Sequence, residues 1–375
     1  MSERIKILHI LPWLSGGGVE QRRFLLAKHL DEEKYEQHLV YMRDNRNWSG
    51  RFNKEGVKTY FVPGKKNWLP FDLIALGTIA RLATKIRPDI IHGAVFEGVT
   101  MAALASFLVN IAIPNKCIIE ETGDPTVRGA GGNMLMWFYC HLADHCVGVS
   151  QPITDYFTHS LKVDSSRVSL VENGARTLSP ICTTKRREMR NRHGFAEDEI
   201  VVGTVCRLHD NYKRVSKLIE ILSTMRSDAR LLVVGDGPDR KRLEAQALQI
   251  GVSDRVTFAG FQTEIETFLG MMDIFALLSS SESFGLAVVE AMFMQLPVVA
   301  TDVGGLKTLV EDGVNGYLVP GDRPLLAQEP LERLAADQAL RRSLGSNGRE
   351  FALSRYTEEA YVGRVDALYQ RILQN

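Results

Sequence analysis

Residues 273–292 read DIFALLSSSESFGLAVVEAM. The run IFALL has the length and composition of a strand, the serines after it mark a turn, and LAVVEAM continues as a helix expected to begin near Ser283 or Phe284. A second apolar strand, PVVAT at 297–301, follows, and strand–helix–strand is the repeating unit of a parallel sheet covered by helices. Glu282 then falls after the carboxyl end of a strand, where open α/β sheets place their ligands. The first N–H groups of a helix lack internal acceptors and suit a phosphate, so Ser283, Phe284 and Gly285 at the expected helix start are candidates, with Gly285 allowing close approach. Glu290 lies on the same helix among Leu286, Ala287, Val288, Val289, Ala291, Met292 and Phe293. A helix apolar all round is buried, and a buried carboxylate needs donors. Those donors are either a structural hydrogen bond or ion pair, or the two hydroxyls of a ligand diol such as a ribose.

Working outward, the same rhythm fills the chain. IKILHIL, QHLVYM, TYFV, DIIH and KCIIEE alternate with helical stretches in the first half, and EIVVGTVC, RLLVVGD, RVTFAG and DIFALLS do so in the second. The strands are near-continuous apolar runs, as expected when both faces of a sheet are covered. The pattern pauses at 174–193, a polar, Pro-containing, basic stretch read as a linker. The expected organisation is an α/β pair of Rossmann-like, doubly wound domains facing a central cleft: 1–175, acceptor-side, and 195–356, donor-side. A C-terminal helix of about 357–375, with Tyr361, Val365, Leu368 and Ile372 on one stripe, can cross back to the first domain.

Composition narrows the function. The 375 residues carry 45 Lys and Arg against 45 Asp and Glu, which argues against a nucleic-acid binder working by bulk neutralisation of phosphates. The five cysteines, at 117, 140, 146, 182 and 206, include no C-x-x-C pair, fitting a reducing cytosol better than a disulfide framework or zinc site. The N-terminal apolar run is short and broken by Lys6 and His9, and no stretch reaches the length of a membrane span. A cytoplasmic protein, or one peripheral at the inner face of the membrane, is expected.

Two cations join the carboxylates. GTVC ends a strand near Cys206, which puts Arg207 at the mouth of the expected cleft and Lys213 at the start of the next helix, where they either bind a diphosphate or form a solvated basic helix start. The turn VVGDGP, with Gly235 and Gly237, follows another strand.

Together these residues resemble the GT-B glycosyltransferases, and within them the large retaining group called family 4. The resemblance rests on Glu-x7-Glu, here Glu282 to Glu290, and on the order GTVCRL, LLVVGDGP, VTFAGF, PVVATDVGG and NGYLV; SGGGVEQRRFLLAKHL, PDIIH and ENG extend it over nearly the whole chain. It implies that Arg207 and Lys213 hold the donor diphosphate, that Glu290 takes the ribose hydroxyls and that Glu282 faces the donor sugar. It also implies that the amides of Phe284, Gly285 and Leu286 meet the sugar or distal phosphate, and that Gly17 and Gly18 approach the diphosphate. The chain departs from the family pattern at Cys206 and Arg214, where Gly is usual, in an Arg-to-Lys spacing one residue longer, and at Lys307 and Thr308, where Pro and Glu are frequent. IIEETGDP resembles a subset reading roughly SERNDP, keeping Glu121 and Asp124.

Cleaving a sugar from a nucleotide diphosphate develops negative charge on the leaving phosphate, which needs a positive environment. The resemblance implies a metal-independent transfer with retention. The donor is a nucleotide-diphosphate sugar, UDP-linked favoured, serving as co-substrate with no other cofactor. The acceptor is a hydroxyl of a saccharide or lipid-linked saccharide in bacterial surface glycan assembly. Glu121 and Asp124 are the evident acceptor-side carboxylates, for base work or for structure, and His92, ending a strand, is an acceptor-side candidate or a core histidine. Lys65, Lys66, Arg81, Lys85 and Arg87 with Trp68, Leu69 and Phe71 suit an anionic membrane surface, or an ordinary amphipathic helix with a solvated basic face; KRREMRNRH at 185–193 has the same two readings. The remaining alternatives are a sugar-nucleotide epimerase or a non-catalytic sugar-nucleotide binder of the same fold, and an NAD enzyme, for which the glycines at 16–18 have the wrong spacing.

Overall fold

The computed structural model describes residues 3–45, 47–64, 72–123, 125 and 128–374. It divides into two compact units, Met1–Gly174 with Glu358–Asn375, and Ala175–Thr357. The first holds β1 (Ile5–Leu14), β2 (Tyr35–Asp44), β3 (Lys58–Phe61), β4 (Ile90–Ala94), β5 (Lys116–Glu121), β6 (His145–Gly148) and β7 (Val168–Leu170). They form one parallel sheet in the order β3-β2-β1-β4-β5-β6-β7. The second holds β8 (Val201–Val205), β9 (Arg230–Val234), β10 (Val256–Gly260), β11 (Ile274–Leu277), β12 (Val298–Thr301) and β13 (Gly316–Val319), parallel in the order β10-β9-β8-β11-β12-β13. Both are Rossmann-like, and in each the strand order reverses once, between β1 and β4 and between β8 and β11. Such switch points open a crevice at the carboxyl ends of the strands.

The cores follow from the apolar runs. In the first unit Ile7, Ile90, Ile118 and Val147, from four neighbouring strands, pack with Leu26 and with Tyr361, Val365 and Leu368 of the C-terminal helix Glu358–Gln374. In the second, Val202, Leu231, Ile274 and Val299 pack against Leu218, Ile219 and Leu222, which share one face of the helix Val215–Thr224. Each fully buried aliphatic side chain contributes about 1.5–3 kcal/mol.

The stretch expected to link the domains is folded chain instead. From Ala175 it belongs to the second unit, and Thr183–Arg192 is a helix. Its Arg190 is buried, donating to the carbonyls of Met271, Ala196, Glu197 and Glu199 and to the Asp273 carboxylate. A polar, basic segment thus folds by supplying donors to carbonyls at the ends of neighbouring elements, which hydrophobic periodicity does not reveal.

No helix among the described residues is long and apolar enough to cross a membrane. Arg81, Lys85 and Arg87 are exposed on and just after the helix Leu73–Ile86. Lys65, Lys66, Trp68, Leu69 and Phe71 lie outside the described residues.

Candidate active site

Four turns meet at the carboxyl edge of the second sheet, following the neighbouring strands β9, β8, β11 and β12. Two of them are locked by glycine. Gly235 has φ +132°, and a Cβ there would stand 1.8 Å from the carbonyl oxygen of Cys206. Gly304 has φ +49°, and a Cβ there would stand 1.8 Å from the carbonyl oxygen of Glu282. Both approaches exclude a side chain, and both conformations disfavour one. The Gly305 amide donates to that same Glu282 carbonyl at 3.0 Å, so DVGG fixes the backbone from which Glu282 projects. The glycines of VVGDGP serve the close packing of two loops.

Lys213 Nζ donates to Glu282 Oε2, both groups partly buried. Lys213 is the last residue of a one-turn helix, Asp210–Lys213, and the longer helix starts at Val215, after Arg214 at φ +48°. Arg214 thus stands in the left-handed conformation glycine adopts readily, and its Nη1 donates to the Gly321 carbonyl at 2.5 Å. Ser280 ties the two turns together, its amide donating to the Tyr212 carbonyl at 2.7 Å and its hydroxyl to that of Asn211 at 2.8 Å. Arg207 is exposed, with no ion pair or side-chain hydrogen bond among the described residues.

The helix after β11 spans Leu286–Phe293 with Gly285 as its N-cap, two or three residues later than the pattern suggested. Phe284 is buried edge-on against Tyr356, ring centroids 5.6 Å apart. Among the described residues the amides of Phe284, Gly285 and Leu286 have no acceptor, the ordinary state of a helix start open to an anion. Val288, Val289, Ala291, Met292 and Phe293 are buried, and Glu290 is half-buried between them. No donor reaches its carboxylate among the described residues. Although part of the side chain meets solvent, its surroundings desolvate the carboxyl and push it up to about 7, against the opposing pull of Arg176. The structural hydrogen bond or ion pair weighed for Glu290 is therefore missing, and two acceptor oxygens stand in a weakly polar site without donors.

In the first unit, Gly17 is the N-cap of the helix Gly18–His29, and Gly17 and Gly18 are exposed. Glu20 reaches back to accept from the amide and hydroxyl of Ser15, at 3.0 and 3.1 Å, which shapes the glycine turn. Glu121 ends β5 and is buried; it accepts from Arg128 and from the amides of Thr122 and Gly123 at 3.1 and 2.9 Å. Those partners make Glu121 the organiser of its loop rather than a free base. Asp124 lies outside the described residues.

Of the two readings of His92, its surroundings fit the core histidine. It lies two residues before the end of β4, is buried, and shares a hydrogen bond of 2.8 Å between Nδ1 and the Tyr369 hydroxyl. Burial first, then Arg23, lowers it to about 4, so the imidazole is neutral. It belongs to a polar core that sequence reasoning missed. Arg22 Nη1 and Arg23 Nη2 both donate to Glu120, with His92 Nε2 3.4 Å from the same carboxylate. Burial alone would raise the Glu120 carboxyl, but the two arginines override it and hold it well below the usual range. The available signal was a charge inside an apolar strand, CIIEE, and a pair of arginines entering the run FLLA.

Residues 16–177 match the family model described as Glycosyltransferase Family 4, and 185–351 the model described as Glycosyl transferases group 1. N-acetyl-alpha-D-glucosaminyl L-malate synthase of Bacillus anthracis is 27% identical over 383 residues, covering 97% of this chain and 96% of its own. Alpha-D-kanosaminyltransferase of Streptomyces kanamyceticus is 32% identical over 193 residues, half of each chain. Among solved structures, that of Anabaena HepE in complex with UDP and glucose matches with a TM-score of 0.87 at 21% identity, over 98% of this chain and 100% of that one, a likeness of fold.

Proposed function

The chain belongs to the family 4 glycosyltransferases and has their GT-B fold, and from that premise we propose that it moves a sugar from a nucleotide-diphosphate sugar, UDP-linked, to a hydroxyl of a saccharide or lipid-linked saccharide, with retention and without a metal. The observation that carries this reading is the set of unsatisfied groups at one edge of the second sheet: an unpaired guanidinium at Arg207, open amides from Phe284 to Leu286, and the donorless carboxyl of Glu290. A nucleotide diphosphate supplies what each lacks. Its ribose hydroxyls donate to Glu290, and its phosphates accept from Arg207 and from the amides.

Lys213 completes the site by exchange. Paired with Glu282 in the unliganded chain, it turns to the diphosphate, which frees Glu282 to accept from hydroxyls of the donor sugar. As the bond between the anomeric carbon and the phosphate oxygen breaks, the acceptor oxygen bonds to that carbon and its proton leaves to the departing diphosphate. The positive charge of Arg207 and Lys213 favours that departure. Gly17 and Gly18, exposed at a helix start, are the anion-binding candidates of the first unit.

A UDP donor is supported by HepE, whose complex contains UDP and glucose, and joining of a sugar to an acceptor by the relative named as a synthase of N-acetyl-alpha-D-glucosaminyl L-malate. A place at the inner face of a bacterial membrane is supported by exposed Met134, Trp137 and Phe138 on the helix Ala130–Leu142, beside Phe107 and Leu108 on the neighbouring helix Phe96–Asn110. Exposed aromatic and apolar side chains suit a lipid interface.

The test is a donor screen by thermal shift with UDP- and GDP-sugars, followed by product analysis. A ligand that binds only the native state raises the melting temperature with concentration. UDP-sugars should do so, with UDP release accelerated by an acceptor. A changed sugar without acceptor would instead identify an epimerase, and no shift with any sugar nucleotide would sink the proposal.

A further inference from the structure

A second concentration of charge lies in the second unit at the opposite, amino-terminal end of its sheet. There a cavity of about 430 Å³ opens among the helix Thr183–Arg192, the residues just before β11 and β12, and the first turns of the helix Gln338–Arg355. That volume is in the range of small-molecule pockets. The cavity is separate from the candidate active site, since Asp273 and Pro297 on its wall immediately precede strands whose far ends carry the Glu282 and Gly304 turns.

Five arginines line it, Arg186, Arg187, Arg190, Arg341 and Arg342, against two carboxylates, Asp273 and Glu197. Both carboxylates are already engaged. Asp273 accepts from Arg186 at 2.7 Å and Arg190 at 2.5 Å, and Glu197 accepts both arms of Arg187 at 2.8 and 2.7 Å. Arg341 Nη1 donates to the carbonyls of Leu334 and Ala335 at 2.5 and 2.9 Å, which fixes the side chain without neutralising it. Arg342 is exposed and has no partner among the described residues. Three positive charges are left over around one concave space. The crowding is felt at Arg186, lowered by burial first, and by Arg190 and Arg341 in the face of Asp273.

Like charges gathered this way repel unless an anion joins them. Guanidinium forks match phosphate oxygens in geometry, and a surplus of three suits a multiply charged phosphoryl group better than a single carboxylate. We propose that this cavity is a second binding site, distinct from the donor site, for a phosphoryl anion carrying two or more negative charges, held chiefly by Arg341 and Arg342. Such chemistry is presented by a free di- or triphosphate compound and by the phosphate headgroup of a lipid. On this reading the basic run 185–193 is not a linker: Arg186 and Arg190 build the wall, Lys185 and Arg192 face solvent, and the cavity takes the anion.

The experiment is calorimetric titration of the full chain with inorganic pyrophosphate at constant ionic strength. Arg207→Gln is included to weaken competing occupation of the candidate active site. Pyrophosphate should bind, and adding Arg341→Gln with Arg342→Gln should weaken it at least about tenfold, as expected when charge-assisted hydrogen bonds are removed. Arg342→Gln alone touches no protein partner, keeps the test independent of folding, and should weaken binding several-fold with the melting temperature unchanged. Sedimentation with vesicles of phosphatidic acid in phosphatidylcholine separates the two sources. Retention that disappears in the double variant assigns a lipid headgroup, and binding of pyrophosphate without retention assigns a free compound. Pyrophosphate affinity that is the same with and without the two substitutions overturns the proposal, as does competition by sulfate equal to that of pyrophosphate itself.

Discussion

Glu290→Gln should make the unliganded protein more stable while making it a poorer binder of its donor. Burial pushes the Glu290 carboxyl up to about 7, against about 4.3 in an unfolded chain. A carboxyl whose pKa is raised on folding costs nothing while it is protonated in both states, below the unfolded value. It costs progressively more as pH rises between the two values, and the full amount above about 7. At 1.36 kcal/mol per pKa unit the limiting cost is about 3–4 kcal/mol, and the partial exposure of the side chain reduces this to about 1–3 kcal/mol. Glutamine keeps the shape and carries no charge. The assay is calorimetric melting of wild type and variant between pH 4.5 and 8.5, where 1 kcal/mol corresponds to about 2–4 °C for a unit of this size. The variant's advantage should be near zero at the acid end and grow to several degrees above pH 7. The same variant should bind UDP about tenfold or more weakly, because a charged acceptor of two hydroxyl hydrogen bonds becomes a neutral one. A stability difference constant across that pH range would refute the reasoning, since it would mean that Glu290 is not held desolvated and unpaired.

Other outcomes follow from the same geometry. Arg207→Ala removes an exposed side chain without protein partners, so stability should stay within about 0.5 kcal/mol while UDP affinity, by titration calorimetry, falls about tenfold or more. Gly304→Ala puts a Cβ 1.8 Å from the Glu282 carbonyl oxygen at φ +49°, and denaturant unfolding should register a loss of more than about 2 kcal/mol. Glu120→Gln leaves Arg22 and Arg23 buried without their counter-charge, and a loss of about 3–5 kcal/mol is expected in the same assay, with no specific effect on UDP binding per folded molecule.

The fold was legible because apolar runs too continuous for a one-sided sheet, separated by helical stretches, leave little choice but two covered parallel sheets. Glu282 and Glu290 were legible for other reasons: a carboxylate just past the carboxyl end of a strand stands where such sheets bind ligands, and a carboxylate in an apolar helix is costly, and its cost marks it. What the sequence hid is pairing across the fold. Nothing in the local pattern tells that Lys213 meets Glu282, or that Arg190 reaches the Met271 carbonyl and the Asp273 carboxylate, because those partners are distant in the chain. His92 stayed between crevice and core because strand ends read from a sequence are uncertain by a residue or two, and two residues separate a histidine at the crevice from one in the core. The glycines of VVGDGP and DVGG show in the sequence only as turn and motif residues, and the structure gives the reason for two of them: at Gly235 and Gly304 a neighbouring carbonyl leaves no room for a side chain.

The most direct test of a ribose held by Glu290 compares UDP with 2′,3′-dideoxy-UDP on wild type and on Glu290→Ala by titration calorimetry. Removing the two hydroxyls should cost wild type about tenfold or more in affinity, and should cost the variant little, because the carboxylate that accepts from them is gone. An equal penalty in both proteins would place the ribose elsewhere and take Glu290 out of the donor site.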